Sequence, residues 1–411
     1  MTAATDDHPG GEDLAAGLGY DRGAAEALLD LSAPQQRYVE LAAGSGVVEP
    51  MPGMMVTFAR ANTEYVLRNA DEFSSAVVMG LGADCMFIPL NIDPPEHSKY
   101  RKLLDPLFSP RRMDDQEEDI TRRVNEFIDR FIERGECNFT EEFAEVFPAS
   151  VFLGLMGLPE GEMRMFLDMR DGILHPEKVD PLAIGSPEAR RAVTTRAGDS
   201  IWEYFGALVR ERTERPGDDI ISGFVQAEID GERLTPDDIV NICYLLLIAG
   251  LDTVSDTLTC SYAFLAQNPE HRRRLADDPS IVQQAVEELL RWESPVAQGA
   301  PRVARCPVVL PSGASVAEGT MVLPGFGAAN VDGERFDDPL AVQFDRKANP
   351  HLAFGGGVHR CLGSHLARRE LRIALREWHR RIPDYWLTPG FEALEYPPGL
   401  RRVKDLMLAW A

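Results

Sequence analysis

The chain has 411 residues, 44% of them hydrophobic, which is enough for a large buried core. It carries 42 Lys and Arg against 66 Asp and Glu, and the resulting net charge of −24 argues against a nucleic-acid partner. Its six cysteines form no CxxC pair or other paired spacing, which predicts reduced thiols in a cytoplasmic protein.

Residues 1–13 are acidic and polar, without the basic start and apolar centre of a signal peptide, and they predict a disordered tail. The longest apolar run, Ile242 to Ala249, is far shorter than the ~20 residues that a membrane span needs, so we expect no membrane anchor. The motifs below are spread from residue 89 to residue 363. A site assembled from such distant segments favours one domain over residues 14–411.

After a predicted helix and short strands in residues 14–60, an apolar, glycine-bearing segment runs from Ser75 to Phe87. Asp93 follows and can cap a helix that has prolines at its first positions. His97 and Arg101 then lie four residues apart on one helix face, where they can clamp a carboxylate by charge-assisted hydrogen bonds. A solvated surface pair is the alternative.

Residues 114–135 and 140–157 have amphipathic patterns typical of scaffold helices. Residues 160–215 predict two helical segments with interruptions near His175-Pro176 and near Gly185. The first segment is rich in Met and aliphatic residues, which suit an adaptable roof over a pocket, although such a stripe is more often plain core.

The segment from about Pro236 to Ala266 predicts one long helix that is apolar on nearly all sides, and therefore central and buried. Gly250 lies in its middle, where glycine costs ~1 kcal/mol relative to alanine and should have a compensating use. Asp252 and Thr253 follow, and a hydroxyl beside a buried carboxylate can relay protons. A threonine bonded to its own helix and a solvated aspartate form the alternative.

On the next predicted helix, Glu288 and Arg291 are three residues apart and can pair, with Glu287 as a solvated neighbour. Most such pairs are exposed and contribute little to stability. Residues 306–328 alternate apolar and polar positions between Gly and Pro turns, which predicts a small β region.

Near the C-terminus, three consecutive glycines precede a lone cysteine, Cys361, and the apolar positions after it repeat with a helical period. The cysteine therefore lies on a tight loop at the start of a helix, where free N–H groups and the positive helix end stabilise a thiolate. A stabilised thiolate is a suitable soft metal ligand. A buried, inert structural cysteine is the alternative.

The pattern Phe-Gly-x-Gly-x-His-x-Cys-x-Gly over residues 354–363 resembles the haem-binding loop of the cytochrome P450 family at every fixed position. The resemblance implies a mainly α fold with a smaller β region, a triangular helix-rich prism with haem between the long central helix and the helix of the cysteine loop. It implies haem b as cofactor and O₂ as co-substrate. It also implies that the two helical segments in residues 160–215 form a lid over the pocket. In that family the cysteine is the proximal thiolate of the haem iron, so Cys361 is the predicted metal ligand.

The run Ala-Gly-x-Asp-Thr over residues 249–253 is similar to the family's oxygen-activation motif, which makes Asp252 and Thr253 the predicted catalytic pair. Arg302 resembles a second propionate arginine, with Arg305 as a rival for that role. The predicted cofactor-binding residues are His97, Arg101, Ala249, Gly250, Arg302, Phe354, His359, Cys361 and Gly363.

Glu288-x-x-Arg291 matches the family's ExxR pair, which is joined by an arginine of the later meander, here Arg346. The role implied for these three residues is structural, a lock on the core around the haem loop.

The stretch from Phe87 to Glu96 is similar to the camphor hydroxylase branch, in which a tyrosine just upstream binds the substrate ketone. Cys85 stands at that position here, so camphor itself is not expected. The resemblance implies a hydrophobic substrate such as a terpenoid, steroid or fatty acid, and it favours a terpenoid. The predicted pocket residues are Cys85, Met86, Phe87, Leu245, Ala249, Val296, Ala297 and Leu400.

The resemblance thus predicts a monomeric, cytoplasmic monooxygenase without a fused flavin or nicotinamide domain. Its electrons would come from an iron–sulfur ferredoxin and an NAD(P)H-dependent reductase, with the acidic ferredoxin steered to a basic patch. A peroxide-driven peroxygenase and a non-catalytic haem carrier or sensor are the alternatives, and the Asp252–Thr253 pair favours the monooxygenase. The predicted patch consists of Lys99, Lys102, Arg111, Arg112, Arg360, Arg368 and Arg369.

Overall fold

The computed structural model describes residues 32–78, 81–82, 86–229, 231–396 and 400–411. The predicted tail over residues 1–13 and the predicted pocket residue Cys85 lie outside these ranges. In the described part, helices dominate and short strands form a smaller β region, as predicted.

The α-helices of the described residues extend from near the N-terminus to the cysteine-loop helix. They are α1 (Pro34–Ala42), α2 (Arg60–Arg68), α3 (Glu96–Leu104), α4 (Pro110–Asp114), α5 (Glu117–Asp129), α6 (Val146–Met156), α7 (Met163–Leu174), α8 (Pro176–Val179), α9 (Pro187–Glu214), α10 (Ile220–Gln226), α11 (Pro236–Leu251), α12 (Thr253–Gln267), α13 (Pro269–Asp277), α14 (Val282–Glu293), α15 (Phe326–Ala329) and α16 (Ser364–Arg381). A π-helical turn (Thr140–Ala144) and short 3₁₀ turns connect several of them. The 3₁₀ turns are Asp105–Phe108, Ile132–Arg134, Glu160–Glu162, Pro181–Ile184, Pro279–Ile281 and Gly357–His359.

The described strands pair into one larger sheet and three small ones. The strands are β1 (Val47–Met51), β2 (Met54–Thr57), β3 (Phe73–Ser74), β4 (Glu136–Asn138), β5 (Glu228–Ile229), β6 (Glu232–Arg233), β7 (Arg302–Ala304), β8 (Val308–Val309), β9 (Ser315–Val316), β10 (Met321–Leu323), β11 (Tyr385–Leu387) and β12 (Met407–Trp410). The larger sheet has the order β1-β2-β10-β7-β3, and only β2 and β10 pair in parallel there. The predicted β region over residues 306–328 is therefore present, but its last strand joins strands from the N-terminal part.

The predicted long central helix is two helices, because α11 ends at Leu251 and α12 begins at Thr253. Thr235 and Asp238 form a reciprocal capping box at the start of α11. At the break, the Thr253 hydroxyl donates to the Ala249 carbonyl oxygen at 3.0 Å, a back-bonding contact that bends helices.

The two helices belong to different parts of the core. Leu247 and Leu251 of α11 pack in a cluster with the lid helices α7 and α9, whereas Val254 and Leu258 of α12 pack in a cluster around Trp378. By length and composition, Pro236–Gln267 is the stretch of the described chain that could cross a membrane. However, 61% of its most apolar window is buried, as in the core helix of a folded protein.

A buried cluster of Glu288, Arg291 and Arg346, here called the lock, fixes α14 to the segment between α15 and the cysteine loop, here called the meander. Arg291 donates to both carboxylate oxygens of Glu288 at 2.8 and 2.9 Å, and Arg346 donates to them at 3.1 and 3.2 Å. Arg291 also donates to three backbone carbonyl oxygens of the residues that follow α15. The structure thus brings the three predicted structural residues together, with Glu288 and Arg291 fully buried.

Glu287, predicted as a solvated neighbour of the lock, is instead held in a network of its own. It accepts hydrogen bonds from Arg368 at 2.7 and 2.9 Å and pairs with His351 at 2.9 Å. The prediction failed because both partners are more than sixty positions away along the chain.

His379, on the buried face of α16, should make the stability of the chain depend on pH. Its Nδ1–H donates to the Leu375 carbonyl oxygen at 2.7 Å, and burial lowers its pKa to about 4 from the ordinary 6.5. The neutral ring is therefore favoured in the folded chain, and its contribution is complete above pH 6.5 and is lost as pH falls towards 4. The loss should reach about 3 kcal/mol.

Urea unfolding of the chain and of His379→Gln at several pH values between 4 and 8 measures this contribution. We expect the variant to lose less stability than the parent chain between pH 6.5 and 4. Equal losses in both proteins would show that His379 does not carry the effect.

Candidate active site

A largely apolar cavity of about 350 Å³ lies between the central helices and the cysteine loop. Leu245, Ala249 and Gly250 of α11 line it, and Thr253 begins α12 beside them. Cys361 and Phe354 line it from the loop. The two segments that carried the strongest sequence motifs therefore meet at one cavity, although they are more than 100 residues apart.

The cysteine loop is held tightly against α2. Gly357 has φ +64°, and a Cβ there would lie 1.9 Å from the Leu67 carbonyl oxygen, so no side chain is tolerated. The Cys361 N–H donates to the Phe354 carbonyl oxygen at 2.9 Å, which closes the loop. Helix α16 begins three residues later, at Ser364, and the Cys361 thiol lines the cavity, where the surrounding protein keeps it away from bulk solvent.

The surroundings of the Cys361 sulfur differ from the prediction in one respect. Burial raises the pKa of the thiol, and this effect outweighs the hydrogen bond from the Gly363 N–H and the positive charges of Arg101, Arg360 and Arg368. The loop alone therefore does not stabilise a thiolate. A metal cation at the sulfur would supply the missing positive charge, since a coordinated thiol is deprotonated outright.

Buried cationic and imidazole groups gather at one edge of the cavity. The rings of His97 and His359 are 4.2 Å apart, and Arg302 is 5% exposed. Burial and nearby arginines lower the pKa of His97 to about 4 and that of His359 to about 3. Burial lowers the pKa of Arg302 to about 10.

None of these three groups forms an ion pair within the described residues, although His359 Nε2 is hydrogen-bonded to Ser75 Oγ at 2.9 Å. Arg302 donates to the carbonyl oxygens of Ala300 and Pro301 at 3.0 Å and forms no ion pair with any described side chain. The buried Nε2 of His97 has no hydrogen-bond partner there either. Because uncompensated buried charge is costly, this edge is suited to a ligand that carries carboxylates.

The structure separates the two candidate arginines for this role. Arg302 lines the cavity, whereas Arg305 does not and forms an ion pair with Asp93. Asp93 is not the helix cap that the sequence predicted, because it accepts from Ser74 Oγ and Ser75 N instead. Arg101 lines the cavity too and donates to the Arg360 carbonyl oxygen at 2.9 Å.

Asp252 and Thr253 are adjacent in sequence but face different surroundings. Thr253 lines the cavity, whereas Asp252 does not and is 2% exposed. Asp252 pairs with Nε2 of His175 at 2.9 Å and lies 3.7 Å from Arg170. Burial raises the pKa of Asp252, but His175 and Arg170 outweigh burial and hold it well below the ordinary value.

The sequence predicted neither of these partners of Asp252. His175 appeared only as a helix interruption, and Arg170 was one of many charged positions of the predicted lid. Both contacts join segments about eighty residues apart, and one sequence carries no signal for them.

Three of the predicted pocket residues, Leu245, Ala249 and Val296, line the cavity. The four others that the structure describes do not. Met86 is exposed, and Leu400 is half-buried away from the cavity. Ala297 packs in a separate cluster with Tyr38 and does not line the cavity.

Phe87 is also outside the lining. Its ring packs on Tyr244 of α11, with centroids 5.4 Å apart, and it is fully buried there. Ile88 and Pro89, the next two residues, line the cavity instead. The sequence also missed Phe152 and Met156 of α6, which line the cavity from a helix predicted to be scaffold.

The donor set fits an iron porphyrin. A flat, apolar group with two carboxylates matches an apolar cavity that is lined by Arg302, which has no ion pair within the described residues, and by His97, whose Nε2 has no hydrogen-bond partner there. Among the described residues, no group of three or more His, Cys, Asp or Glu side chains could hold a metal ion. A single thiolate therefore suits a metal that brings most of its own ligands, as haem iron does.

A sequence model of the cytochrome P450 family matches residues 66–378, which is more than half of the chain. The chain belongs to the cytochrome P450 family. Probable cytochrome P450 127A1 of Sinorhizobium fredii is 35% identical over 361 residues, 87% of this P450 and 83% of the relative. The steroid C26-monooxygenase of Mycobacterium tuberculosis is 32% identical over 337 residues, 80% of this P450 and 87% of the relative.

The solved structure of CYP109E1 from Bacillus megaterium in complex with corticosterone has a TM-score of 0.82 at 30% identity. The match covers 94% of this P450 and 99% of that chain. The predicted P450 fold is therefore confirmed. The family also confirms the predicted reaction class and cofactor: this P450 is a haem b monooxygenase that uses O₂.

Proposed function

We propose that Cys361 is the axial ligand of the haem iron and that His97, Arg302 and His359 bind the propionates. The observation that supports this proposal is that Cys361 lines the same apolar cavity as Arg302, which forms no ion pair within the described residues, and the two histidines beside it. Arg101 and the Phe354, Gly355 and Gly363 backbone shape the same wall. When bound, haem supplies O₂ binding, O–O cleavage and transfer of one oxygen atom to the substrate.

The residues of the central helix would then serve the distal side. Gly250 leaves space for a small ligand, since a Cβ there would contact only Phe152, at 3.5 Å. Thr253 presents its hydroxyl at the cavity wall, and Asp252 holds a proton-accepting carboxylate one residue before it. We infer that these two residues carry protons from the buried polar cluster to the cavity.

We further propose a steroid or a similar fused-ring hydrophobic substrate. The cavity wall away from the cysteine is apolar and includes Phe152, Met156, Leu245 and Val296, which suits a rigid hydrocarbon skeleton. The steroid monooxygenase and the corticosterone complex support this class by similarity. A terpenoid, favoured by the resemblance to the camphor hydroxylase branch, is the second class to test.

The test of the haem assignment is the absorption spectrum of the reduced, CO-bound protein. We expect the strongly red-shifted band of a thiolate-ligated haem, and its loss in Cys361→Ala with haem still bound. Steroids and terpenoids would then be titrated into the ferric protein, where a spin shift reports displacement of iron-bound water by substrate. A parent protein that binds haem without the thiolate band would contradict the assignment.

We propose that the electron donor is an iron–sulfur ferredoxin and that this P450 is a cytoplasmic monomer. Of the predicted basic patch, Arg368 and Arg369 are held in ion pairs with Glu287, Asp114 and Glu117, and Lys99 pairs with Glu96. Four exposed cations near the cysteine loop have no ion pair within the described chain. They are Lys102, Arg111, Arg112 and Arg360.

Arg112→Glu should slow reduction of this P450 by an acidic ferredoxin at low salt, because charge steers such encounters. High salt should remove most of the difference, since it screens exposed charges. Arg215→Glu, at the exposed end of the lid helix α9, is the matched control and should reduce at the parent rate. A stopped-flow rate for Arg112→Glu equal to that of the control would count against this docking face.

A further inference from the structure

Two adjacent glutamates on α14 serve two separate networks. Glu288 closes the buried lock with Arg291 and Arg346, whereas Glu287 faces α16. The Glu287 carboxylate binds Arg368 through both oxygens, at 2.7 and 2.9 Å, which is the forked geometry of a strong arginine–carboxylate pair. The ion pair is partly shielded, since both side chains are at most one quarter exposed.

His351 completes the Glu287 network from the meander side. Its Nε2 is 2.9 Å from Glu287, and its Nδ1 accepts the Ala353 N–H at 3.2 Å, so Nε2 carries the proton. Burial raises the pKa of Glu287, but the bonds from His351 and Arg368 outweigh burial and bring it to about 2. The carboxylate is therefore negative at neutral pH.

Arg368 connects this network to the cysteine loop. Its guanidinium carbon lies 4.3 Å from the centre of the Phe354 ring, a close cation–π contact. Phe354 lines the cavity, and its carbonyl oxygen accepts the Cys361 N–H at 2.9 Å. Glu287 is thus joined to the cysteine loop through two side chains, Arg368 and Phe354.

The charges of this network act on the electron density at the sulfur. The positive charge of Arg368 favours a negative Cys361, and Glu287 offsets that charge at hydrogen-bond distance. Interactions between partly buried charges are screened less than those at the surface, so the balance of the pair reaches the sulfur. The potential of an iron centre follows the charge and the hydrogen bonding around its sulfur ligand.

We propose that Glu287 is a positioning residue that holds Arg368 on Phe354 and offsets its charge, and that this network sets the reduction potential of the haem. The proposal rests on the proposed role of Cys361 as the iron ligand. The first electron transfer to the haem would then depend on the carboxylate of Glu287, which touches neither haem nor substrate.

Removing the charge of one or the other partner of the ion pair should shift the midpoint potential of the haem in opposite directions. Glu287→Gln leaves the Arg368 charge without its counterion, which stabilises the reduced form, so the midpoint potential should become more positive. Arg368→Gln leaves the Glu287 charge without its counterion, so the midpoint potential should become more negative. The double variant should lie between the two single variants, because the charges are removed together.

The measurement is a spectroelectrochemical titration of each haem-loaded protein without substrate or redox partner. Glu117→Gln is the matched control, because Glu117 binds Arg369 and Arg376 on the same helix α16. Those arginines are not stacked on Phe354, so the control should keep the parent potential. Opposite shifts in the two single variants, both larger than the shift of the control, support the proposal.

Potentials that shift no more than the control, in proteins that keep the thiolate CO band, would overturn the proposal and leave the haem assignment intact. Absence of that band in the parent protein would instead overturn the haem assignment itself. If Glu287→Gln fails to retain haem, Arg368→Gln decides alone. A lower potential supports the proposal, and an unchanged potential overturns it.

Discussion

Glu288→Ala is expected to cost about 3–5 kcal/mol in the free energy of unfolding, because Glu288 is the carboxylate that pairs with both Arg291 and Arg346 among the described residues. Glu288 also accepts from the Gln343 N–H at 2.8 Å and from Asn349 Nδ2 at 3.0 Å. The loss is comparable to the whole stability of many domains. We therefore expect little folded protein and almost no bound haem.

Urea unfolding followed by circular dichroism, together with haem content after purification, measures this effect. Glu270→Ala is the control, because Glu270 is an exposed helix residue whose partner His271 lies next to it in sequence. The control should unfold at the parent urea concentration. A Glu288→Ala protein with the parent midpoint and full haem content would show that the lock is dispensable.

The lock also shows what the sequence predicts well. The spacing of Glu288 and Arg291 places them on one helix face. Arg346 was predicted only from the resemblance to a known motif, because no local pattern connects it to the other two. The cavity was predicted for the same reason, since its glycine-rich loop and central helix carry motifs of fixed spacing. Local geometry and family motifs together located Cys361 and Thr253 at one cavity.

The direction in which individual side chains point was harder to predict from the sequence. Phe87 and Ala297 were predicted to face the substrate, yet one packs on Tyr244 and the other in a separate cluster. A shift of one residue turns a side chain to the other face of an extended segment, and only packing decides between the faces. The contacts of Glu287 were not predicted for a related reason, because its partners come from two later segments.

The break in the central helix was missed for a different physical reason. The apolar pattern continues from α11 into α12, so periodicity predicts one helix. The chain breaks at Asp252 because that side chain finds buried partners outside the helix, while Thr253 bonds back to Ala249. Local propensity cannot predict a tertiary ion pair, and this pair lies beside the cavity.

Asp252→Asn is expected to lower product formation about 10²–10⁴-fold, the usual range for loss of a positioned proton donor or acceptor. Asparagine keeps the volume of the side chain and can still accept a hydrogen bond from His175. Arg170 keeps its other partners, Asp171 at 2.6 Å and Glu145 at 3.3 Å. The fold and the haem spectrum should therefore be unchanged while proton transfer is slowed.

The measurement is the rate of product formation in H₂O and in D₂O with a saturating substrate and electron donor. A slower proton step should raise the solvent isotope effect in Asp252→Asn above the parent value. Asp237→Asn, an exposed acid in the first turn of α11, is the matched control. Parent rates and an unchanged isotope effect in Asp252→Asn would remove Asp252 from the proton route.

Thr253→Ala should act differently, because its hydroxyl is at the cavity wall and Asp252 is behind it. We expect NAD(P)H consumption to continue while more of the electrons end in hydrogen peroxide than in product.

The direction of proton supply explains the contrast between the Asp252 and Thr253 variants. A second cavity, of about 1090 Å³, is lined by Glu145 and Asp171, the partners of Arg170, so we expect solvent protons to reach Asp252 before Thr253. Loss of Asp252 would limit the supply of protons, whereas loss of Thr253 would limit their delivery to the correct atom.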